Sequence, residues 1–176
     1  MNPSSELILN TDGSVYHLNL LPEDIGDTIF FVGDPDRVKD VSKHFDRIET
    51  KKQKREFVTH TGYIGAKKYS VISTGIGTDN IDIVINELDA LVNVDLKSKQ
   101  VLPNLKQLTF IRIGTSGALQ KHIEINSLLL SKAAIGMEGL QHFYQYAYTS
   151  NEEKLQKAFS EYLNLNQIAL LQPYAV

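Results

Sequence analysis

Apolar and polar residues fall in blocks whose spacing alternates between that of strands and that of helices. Residues 28–33 (TIFFVG) form a nearly continuous apolar run, which is typical of a buried strand. Residues 34–45 continue with Asp-Pro-Asp and then a mixture of polar and apolar positions, which predicts a helix. Asp34 is the predicted N-cap of that helix and Pro35 its first residue, because proline is tolerated in the first turn.

The next two apolar stretches predict a β-hairpin. Residues 56–65 and 67–75 are rich in β-branched and aromatic side chains. Gly65 and Ala66 join them, which is short enough for a tight turn. We therefore expect two antiparallel strands here.

The clearest helix is predicted at 78–96, with Thr78 or Asp79 as its cap. Its apolar residues recur three and four positions apart, which places them on one face: Ile81, Val84, Ile85, Leu88, Leu91 and Val92. The same criteria predict strands at 108–114 and 125–136 and a surface helix at 151–163. Strands that alternate with helices are typical of an α/β domain with a mixed sheet, so residues 1–176 are interpreted as a single domain.

The last ten residues, 167–176 (QIALLQPYAV), are apolar and strand-like, and no later segment follows to cover them or to pair with them. A complete domain rarely ends in this way. We therefore expect the domain to be incomplete at its C-terminus.

Composition narrows the classes of function. A formal net charge of −3 argues against a general nucleic-acid binder, which usually carries a basic stripe. The chain has no cysteine, so disulfides, thiolate nucleophiles and cysteine metal sites are excluded. Five histidines lack the spacing of a metal motif, and no metal is predicted. There is neither a signal-peptide pattern nor an apolar run of about 18 residues, so the sequence predicts a cytoplasmic protein without membrane contact.

Glycines follow three of the predicted strands. They are Gly33, the glycines of STGIGTDN (73–80) and those of IRIGTSGAL (111–119). Glycine lets the backbone turn sharply and leaves N–H groups free to bind oxyanions. The carboxyl ends of strands in α/β sheets are also where ligands usually bind. This edge of the sheet is therefore the predicted site.

Two arginines lie near these glycines, and each could have a negative partner. Arg112 interrupts an apolar strand, where an unpaired buried charge is costly, so it needs either a carboxylate or an anionic ligand. Arg37 lies in the first turn of a predicted helix, which is the positive end of the helix dipole. Its partner is either Asp34 or Asp36, or a bound anion. For Arg37 alone, a solvated role is the favoured interpretation.

Five motifs together resemble the nucleoside phosphorylase family, and within it the uridine phosphorylases. They occur in the family's order and spacing: HLNLLPEDI (17–25), VGDPDRV (32–38), REF (55–57), STGIG (73–77) and RIGTSGA (112–118). The resemblance covers most of residues 17–135. It implies a three-layer α/β/α fold around a mixed, twisted central sheet. It also implies an enzyme, a pentosyltransferase that reversibly converts a nucleoside and phosphate to free base and pentose 1-phosphate.

The resemblance also implies roles for individual residues. Five match phosphate-binding positions: Gly33, Arg37, Arg55, Arg112 and Thr115. Among them Arg37 and Arg112 carry the catalytic role, by holding phosphate in line for attack on the sugar. His17 and Thr115 match sugar-binding positions. Arg55 and His17 are expected to serve the site of a neighbouring subunit, so the implied assembly is a homodimer or a hexamer made of three dimers.

No organic cofactor is implied, and phosphate is the co-substrate. Some family members bind a monovalent cation such as K⁺ at positions that match Glu56, Ile76 and Asn80. Here Thr-Asp-Asn (78–80) stands where Gly-Pro-Ser is more usual. The resemblance therefore does not decide whether this chain binds the cation.

Two alternatives remain beside a uridine-cleaving phosphorylase. One is a nucleosidase of the same fold, in which water replaces phosphate. The other is a non-catalytic, phosphate-binding fragment. In this family, residues of the C-terminal third largely bind the sugar and the base. We therefore expect little turnover from the isolated 176-residue chain. The choice among uracil, thymine and a purine also stays open.

Overall fold

The computed structural model describes residues 7–168 and 173–175. The chain divides into two compact units, one ending at Ser116 and the other beginning at Gly117. Each is described by itself. The interpretation of residues 1–176 as one domain stays a prediction.

The described residues of the first unit form two α-helices, seven strands and a short 3-10 helix at Pro22–Asp24. In chain order the elements are β1 (Thr28–Val32), α1 (Arg37–Ser42), β2 (Arg47–Lys54), β3 (Phe57–Ile64), β4 (Lys67–Ser73), α2 (Thr78–Asn93), β5 (Val94–Asp95), β6 (Gln100–Val101) and β7 (Thr109–Arg112). The predicted strand at β1, the hairpin β3–β4, the long helix α2 and the strand β7 are confirmed.

A five-stranded mixed sheet forms the centre of this unit, in the order β2-β3-β4-β1-β7. β1 pairs in parallel with both β4 and β7. β3 is antiparallel to β2 and to β4. The carboxyl ends of β1, β4 and β7 therefore meet at one edge of the sheet.

The two faces of the sheet carry separate apolar cores, one under each helix. Along β1, Ile29 and Phe31 belong to the core that contains α2, whereas Val32 belongs to the core that contains Val38 of α1. Val84 of α2 is fully buried in the first of these cores. This alternation along one strand, with period two, produces the predicted three-layer arrangement.

Both helices of this unit begin differently from the prediction. α1 begins at Arg37 and is preceded by Asp36, so Asp34 is not its N-cap and Pro35 is not its first residue. The reason is local, because Asp34 Oδ1 accepts a hydrogen bond from the Asp36 N–H at 2.9 Å and closes a turn before the helix. α2 is preceded by Gly77, with φ +105°, and no side chain caps it.

Strand β2 was not predicted from the sequence. The strand is RIETKKQK, and it lies at the edge of the sheet, where only one neighbour is needed. Pairing with β3 satisfies its backbone. Charged lysines are common on edge strands because they discourage pairing with other chains.

The second unit contains one long helix and a short two-stranded ribbon. Its elements are β8 (Ile135–Gly136), a 3-10 helix (Leu140–Phe143), α3 (Ser150–Leu165) and β9 (Tyr174–Ala175). α3 confirms the helix predicted at 151–163. Thr149 caps it, accepting a hydrogen bond from the Glu152 N–H at 3.3 Å while the Glu152 carboxylate accepts one from the Thr149 N–H at 2.6 Å.

The strand predicted at 125–136 is wrong for most of its length, since only Ile135–Gly136 is a strand. Leu128 and Leu130 in this stretch are almost fully exposed. At the C-terminal end, Tyr174–Ala175 pairs antiparallel with Ile135–Gly136, an earlier segment of the same unit. Of the last ten residues, 169–172 and 176 lie outside the described residues. No helix within the described residues is long and apolar enough to span a membrane.

Candidate active site

Two glycine-containing turns and an arginine meet at the carboxyl edge of the parallel strands. Val32, at the end of β1, pairs with Ser73, at the end of β4, and Phe31 pairs with Arg112 at the end of β7. Gly33 and Thr74, the residues that follow β1 and β4, are therefore neighbours in space. Parallel pairing of the strands therefore brings together residues that are far apart in the sequence. Gly33 and Arg112 are separated by 79 positions.

Arg112 points its guanidinium at these two turns. Its Nη1 donates a hydrogen bond to Thr74 Oγ1 at 3.2 Å. Its Nη2 lies 3.7 Å from the point where a Cβ on Gly33 would stand. The side chain is exposed, which corrects the expectation that this charge is buried in a strand. Within residues 7–168 and 173–175 no carboxylate lies within 4.0 Å of it, so the structural salt bridge is not found.

Arg37 is half-buried at the first position of α1. Neither nearby aspartate neutralises it. Asp36 pairs with Lys39 at 3.3 Å, and Asp34 accepts the backbone hydrogen bond of the preceding turn. Among the described residues no carboxylate lies within 4.0 Å of the Arg37 guanidinium, so this charge is available to an anion.

Arg55 and Glu56 form the turn between β2 and β3. Arg55 is exposed and has φ +54°, a left-handed conformation that non-glycine residues rarely adopt. Glu56 Oε1 accepts a hydrogen bond from Asn80 Nδ2 at 3.0 Å. The same amide nitrogen lies 3.4 Å from the Ile76 carbonyl oxygen. The structure thus brings together the three residues that the family resemblance associates with a cation.

The role of this trio in binding a cation stays a prediction. A hard cation requires oxygen ligands, whereas the Asn80 amide directs its N–H groups at both oxygens that would bind one. The amide also packs closely against Gly75, since a Cβ added to that glycine would lie only 2.7 Å from Asn80 Nδ2. No cluster of three or more histidine, aspartate and glutamate side chains suited to a metal occurs in the described part of the chain.

His17 lies beside the aromatic start of β3 and against helix α2. Its ring centroid is 6.5 Å from that of Phe57, two residues after Arg55. Its Nδ1 is 2.7 Å from Glu87 Oε1, and Glu87 is itself 7% exposed. The structure therefore places His17 and Arg55, the two residues expected to serve a neighbouring subunit, near the same end of β3.

Thr115 is exposed three residues after Arg112. No hydrogen bond between described residues joins its side chain, or that of Arg37, to Arg112. The roles assigned to these residues, and to Gly33, Arg55 and His17, stay predictions.

Two residues of this region were missed by the sequence analysis. Thr74 orients Arg112, and its place between a strand and a glycine is the only signal it offers in the sequence. Glu87 left a clearer signal. It lies between Val84 and Leu91 on the apolar face of α2, where an acidic residue is buried and needs several hydrogen-bond donors.

Comparison with known proteins defines the class. The family model for the phosphorylase superfamily matches residues 27–168. A uridine phosphorylase from Thermococcus kodakarensis is 36% identical over 141 residues, covering 80% of this chain and 46% of that protein. One from Haemophilus influenzae is 36% identical over 132 residues, covering 74% of this chain and 47% of that protein.

A solved structure agrees with this result. It is a nucleoside phosphorylase from Trypanosoma brucei described as showing uridine phosphorylase activity, with a TM-score of 0.85 and 29% identity. The match covers 96% of this chain and 57% of that one. The mixed sheet between two helical layers is that of a phosphorylase, and the chain belongs to the phosphorylase superfamily. It spans about half the length of the curated uridine phosphorylases it matches.

Proposed function

We propose that this chain carries the phosphate-binding region of a nucleoside phosphorylase. The protein reversibly converts uridine, or a related nucleoside, and phosphate to free base and ribose 1-phosphate. One observation carries the proposal: the Arg112 guanidinium is exposed beside Gly33 and Thr74, with no carboxylate to neutralise it within the described residues. Arginine at glycine-rich turns is the usual arrangement for binding phosphate with two hydrogen bonds.

The arginines act by positioning phosphate. An oxygen of the dianion forms a bond to the anomeric carbon of the sugar while the bond from that carbon to the base nitrogen breaks. The departing base takes up a proton, and in the overall balance this is the proton carried by the hydrogen phosphate dianion. Arg112 and Arg37 hold the dianion in line for this attack, and positioning of this kind supplies up to about 7–11 kcal/mol in well-oriented reactions.

The working assembly is a homodimer or a hexamer in which Arg55 and His17 serve the neighbouring subunit's site. Support comes from the exposure of Arg55 and from its closeness to His17 along β3. Ile76, in the loop that contacts Glu56, is 95% exposed. Analytical ultracentrifugation tests this assembly, and a monomer that retains full turnover would contradict it.

Phosphate is the only co-substrate in this proposal, and no organic cofactor takes part. The amide of Asn80 occupies the oxygens of Glu56 and Ile76, so phosphate binding is independent of K⁺. Phosphate affinity is expected to be equal in potassium and in tetramethylammonium buffers of matched ionic strength. A loss of phosphate affinity in tetramethylammonium buffer would show that phosphate binding depends on K⁺. The cytoplasm, as a source of inorganic phosphate, is the compartment we propose.

Isothermal titration calorimetry with inorganic phosphate tests the site. Arg112→Ala is expected to weaken binding by at least about 10- to 150-fold, because each charge-assisted hydrogen bond contributes about 1.5–3 kcal/mol. Arg47→Ala is the matched control. It also removes an arginine, but Arg47 stacks on the Tyr63 ring at 3.8 Å and belongs to no predicted site. Equal phosphate affinity in folded Arg112→Ala protein would refute the site.

Uridine cleavage with and without phosphate tests the reaction. A phosphorylase forms ribose 1-phosphate and needs phosphate for turnover. Cleavage to free ribose without phosphate would instead establish the nucleosidase alternative. Phosphate binding without turnover in any assembly would establish the non-catalytic alternative.

A further inference from the structure

The carboxylate of Glu87 is buried and receives every nearby donor of the His17–Leu18 segment. Its Oε1 accepts from the His17 backbone N–H at 2.8 Å and lies 2.7 Å from His17 Nδ1. Its Oε2 accepts from the Leu18 N–H at 2.8 Å and lies 3.1 Å from the His17 N–H. Glu87 and the histidine are 70 positions apart in the chain, so only the fold brings them together.

Helix α2 holds this carboxylate in place. Glu87 is 7% exposed and lies next to Leu88, which is fully buried. A buried carboxylate is costly unless several donors satisfy it. Two backbone N–H groups and one ring nitrogen meet that requirement here.

The contact determines which ring nitrogen of His17 carries the proton. An ionised carboxylate only accepts hydrogen bonds, so Nδ1 must be the donor. A neutral His17 is then the Nδ1–H tautomer, and Nε2 presents a lone pair. No partner for Nε2 is found among the described residues.

The ring is also held in orientation and remains accessible. Its plane stands edge-on to Tyr16, with ring centroids 4.9 Å apart. The His17 side chain is 26% exposed. Together with Glu87 it lines a cavity of about 510 Å³.

We propose that Glu87 is a positioning residue that holds His17 as the Nδ1–H tautomer, so that Nε2 accepts a hydrogen bond from a ligand hydroxyl. The identity of that hydroxyl as one on the sugar of the nucleoside rests on the proposed function. The tautomer itself does not, and it can be measured without any substrate.

Long-range ¹H–¹⁵N correlation NMR on ¹⁵N-labelled protein measures the tautomer of each histidine. At about pH 9 an ordinary histidine, whose pKa is about 6.5, is neutral. We expect His17 to carry its proton on Nδ1 in the unmodified chain. The exposed His44 and His122 serve as internal references for a solvated ring. A neutral His17 protonated mainly on Nε2 would overturn the proposal.

Glu87→Gln tests the cause. The amide oxygen still accepts from the backbone N–H groups, but the amide nitrogen donates, so His17 is expected to shift to the Nε2–H tautomer. Asp89→Asn is the matched control, since its carboxylate lines the same cavity but contacts Asn93 at 2.7 Å. An unchanged His17 tautomer in folded Glu87→Gln protein would overturn the proposal. If that variant does not fold, the spectrum of the unmodified chain decides.

Kinetics of an assembly that cleaves uridine provide a separate readout. Glu87→Gln is expected to raise KM for uridine by roughly 3- to 10-fold, the effect of one hydrogen bond, while phosphate affinity stays unchanged. In a His17→Ala background the same substitution is expected to have no further effect on KM. Full additivity would overturn the positioning role. If the tautomer is Nδ1–H but phosphate does not bind, the proposed function fails and the tautomer assignment stands.

Discussion

Replacing Gly33 by alanine is expected to weaken phosphate binding while leaving the fold intact. An added Cβ would stand 3.7 Å from Arg112 Nη2 and 3.7 Å from the Gly75 carbonyl oxygen, which are ordinary contact distances. Gly33 also lacks a positive φ, so alanine introduces no backbone strain. The free energy of unfolding should therefore change by no more than about 0.5 kcal/mol.

In the proposed site, the methyl group nevertheless takes the space that a phosphate oxygen needs. A charge-assisted hydrogen bond to Arg112 requires an oxygen at about 2.7–2.9 Å from the guanidinium nitrogen. Loss of one such bond costs about 1.5–3 kcal/mol, which weakens the affinity by about 10- to 150-fold.

Calorimetric titration with phosphate, beside thermal unfolding, measures both effects. Gly65→Ala is the control for affinity, because an added Cβ there meets nothing within 4 Å and the residue lies in the β3–β4 turn, at the opposite end of β4 from Thr74; its φ of +59° can lower stability without touching the site. The control should retain full affinity. Normal phosphate affinity in Gly33→Ala protein would show that the anion does not lie between this turn and Arg112.

Three further predictions concern stability. Burial, and to a smaller extent the charge of Lys51, lower the pKa of His60. The folded state therefore favours neutral His60, and this contribution to stability is complete above about pH 6.5. It is lost as the pH falls through the lowered pKa. Thermal unfolding at about pH 8 and about pH 5 should therefore differ less in His60→Gln than in the unmodified chain, and equal differences would contradict this. Thr149→Ala removes the α3 cap and should cost about 0.5–2 kcal/mol in urea unfolding, whereas Ser150→Ala, which removes no cap, is the control that should change little. Gly75→Ala combines φ +66° with side-chain atoms 2.7 and 2.9 Å from the new Cβ, so it should lower the melting temperature, and an unchanged value would show that this loop relaxes freely.

Elements with a strong apolar period were predictable from the sequence. The apolar run before Gly33 and the helical spacing of Val84, Leu88 and Leu91 each require burial on a defined face, whatever the rest of the chain does. Strand β2 was missed for the opposite reason. Its stability comes from backbone pairing with β3, which leaves no apolar pattern in an edge strand. The run at 125–134 failed because an apolar stretch forms a strand only where a partner strand is available.

For the candidate site, the sequence by itself determined which residue types stand at the ends of which strands. Gly33, Thr74 and Arg112 are each local features of a strand end. Only the tertiary structure decided that they meet, because the order β4-β1-β7 depends on pairings between distant segments. The same is true of Glu87. Helical spacing places it on the buried face of α2. Its contact with His17, 70 positions away, exists only when the two segments pack together. The physical reason is that the buried carboxylate needs hydrogen-bond donors that its own helix cannot supply.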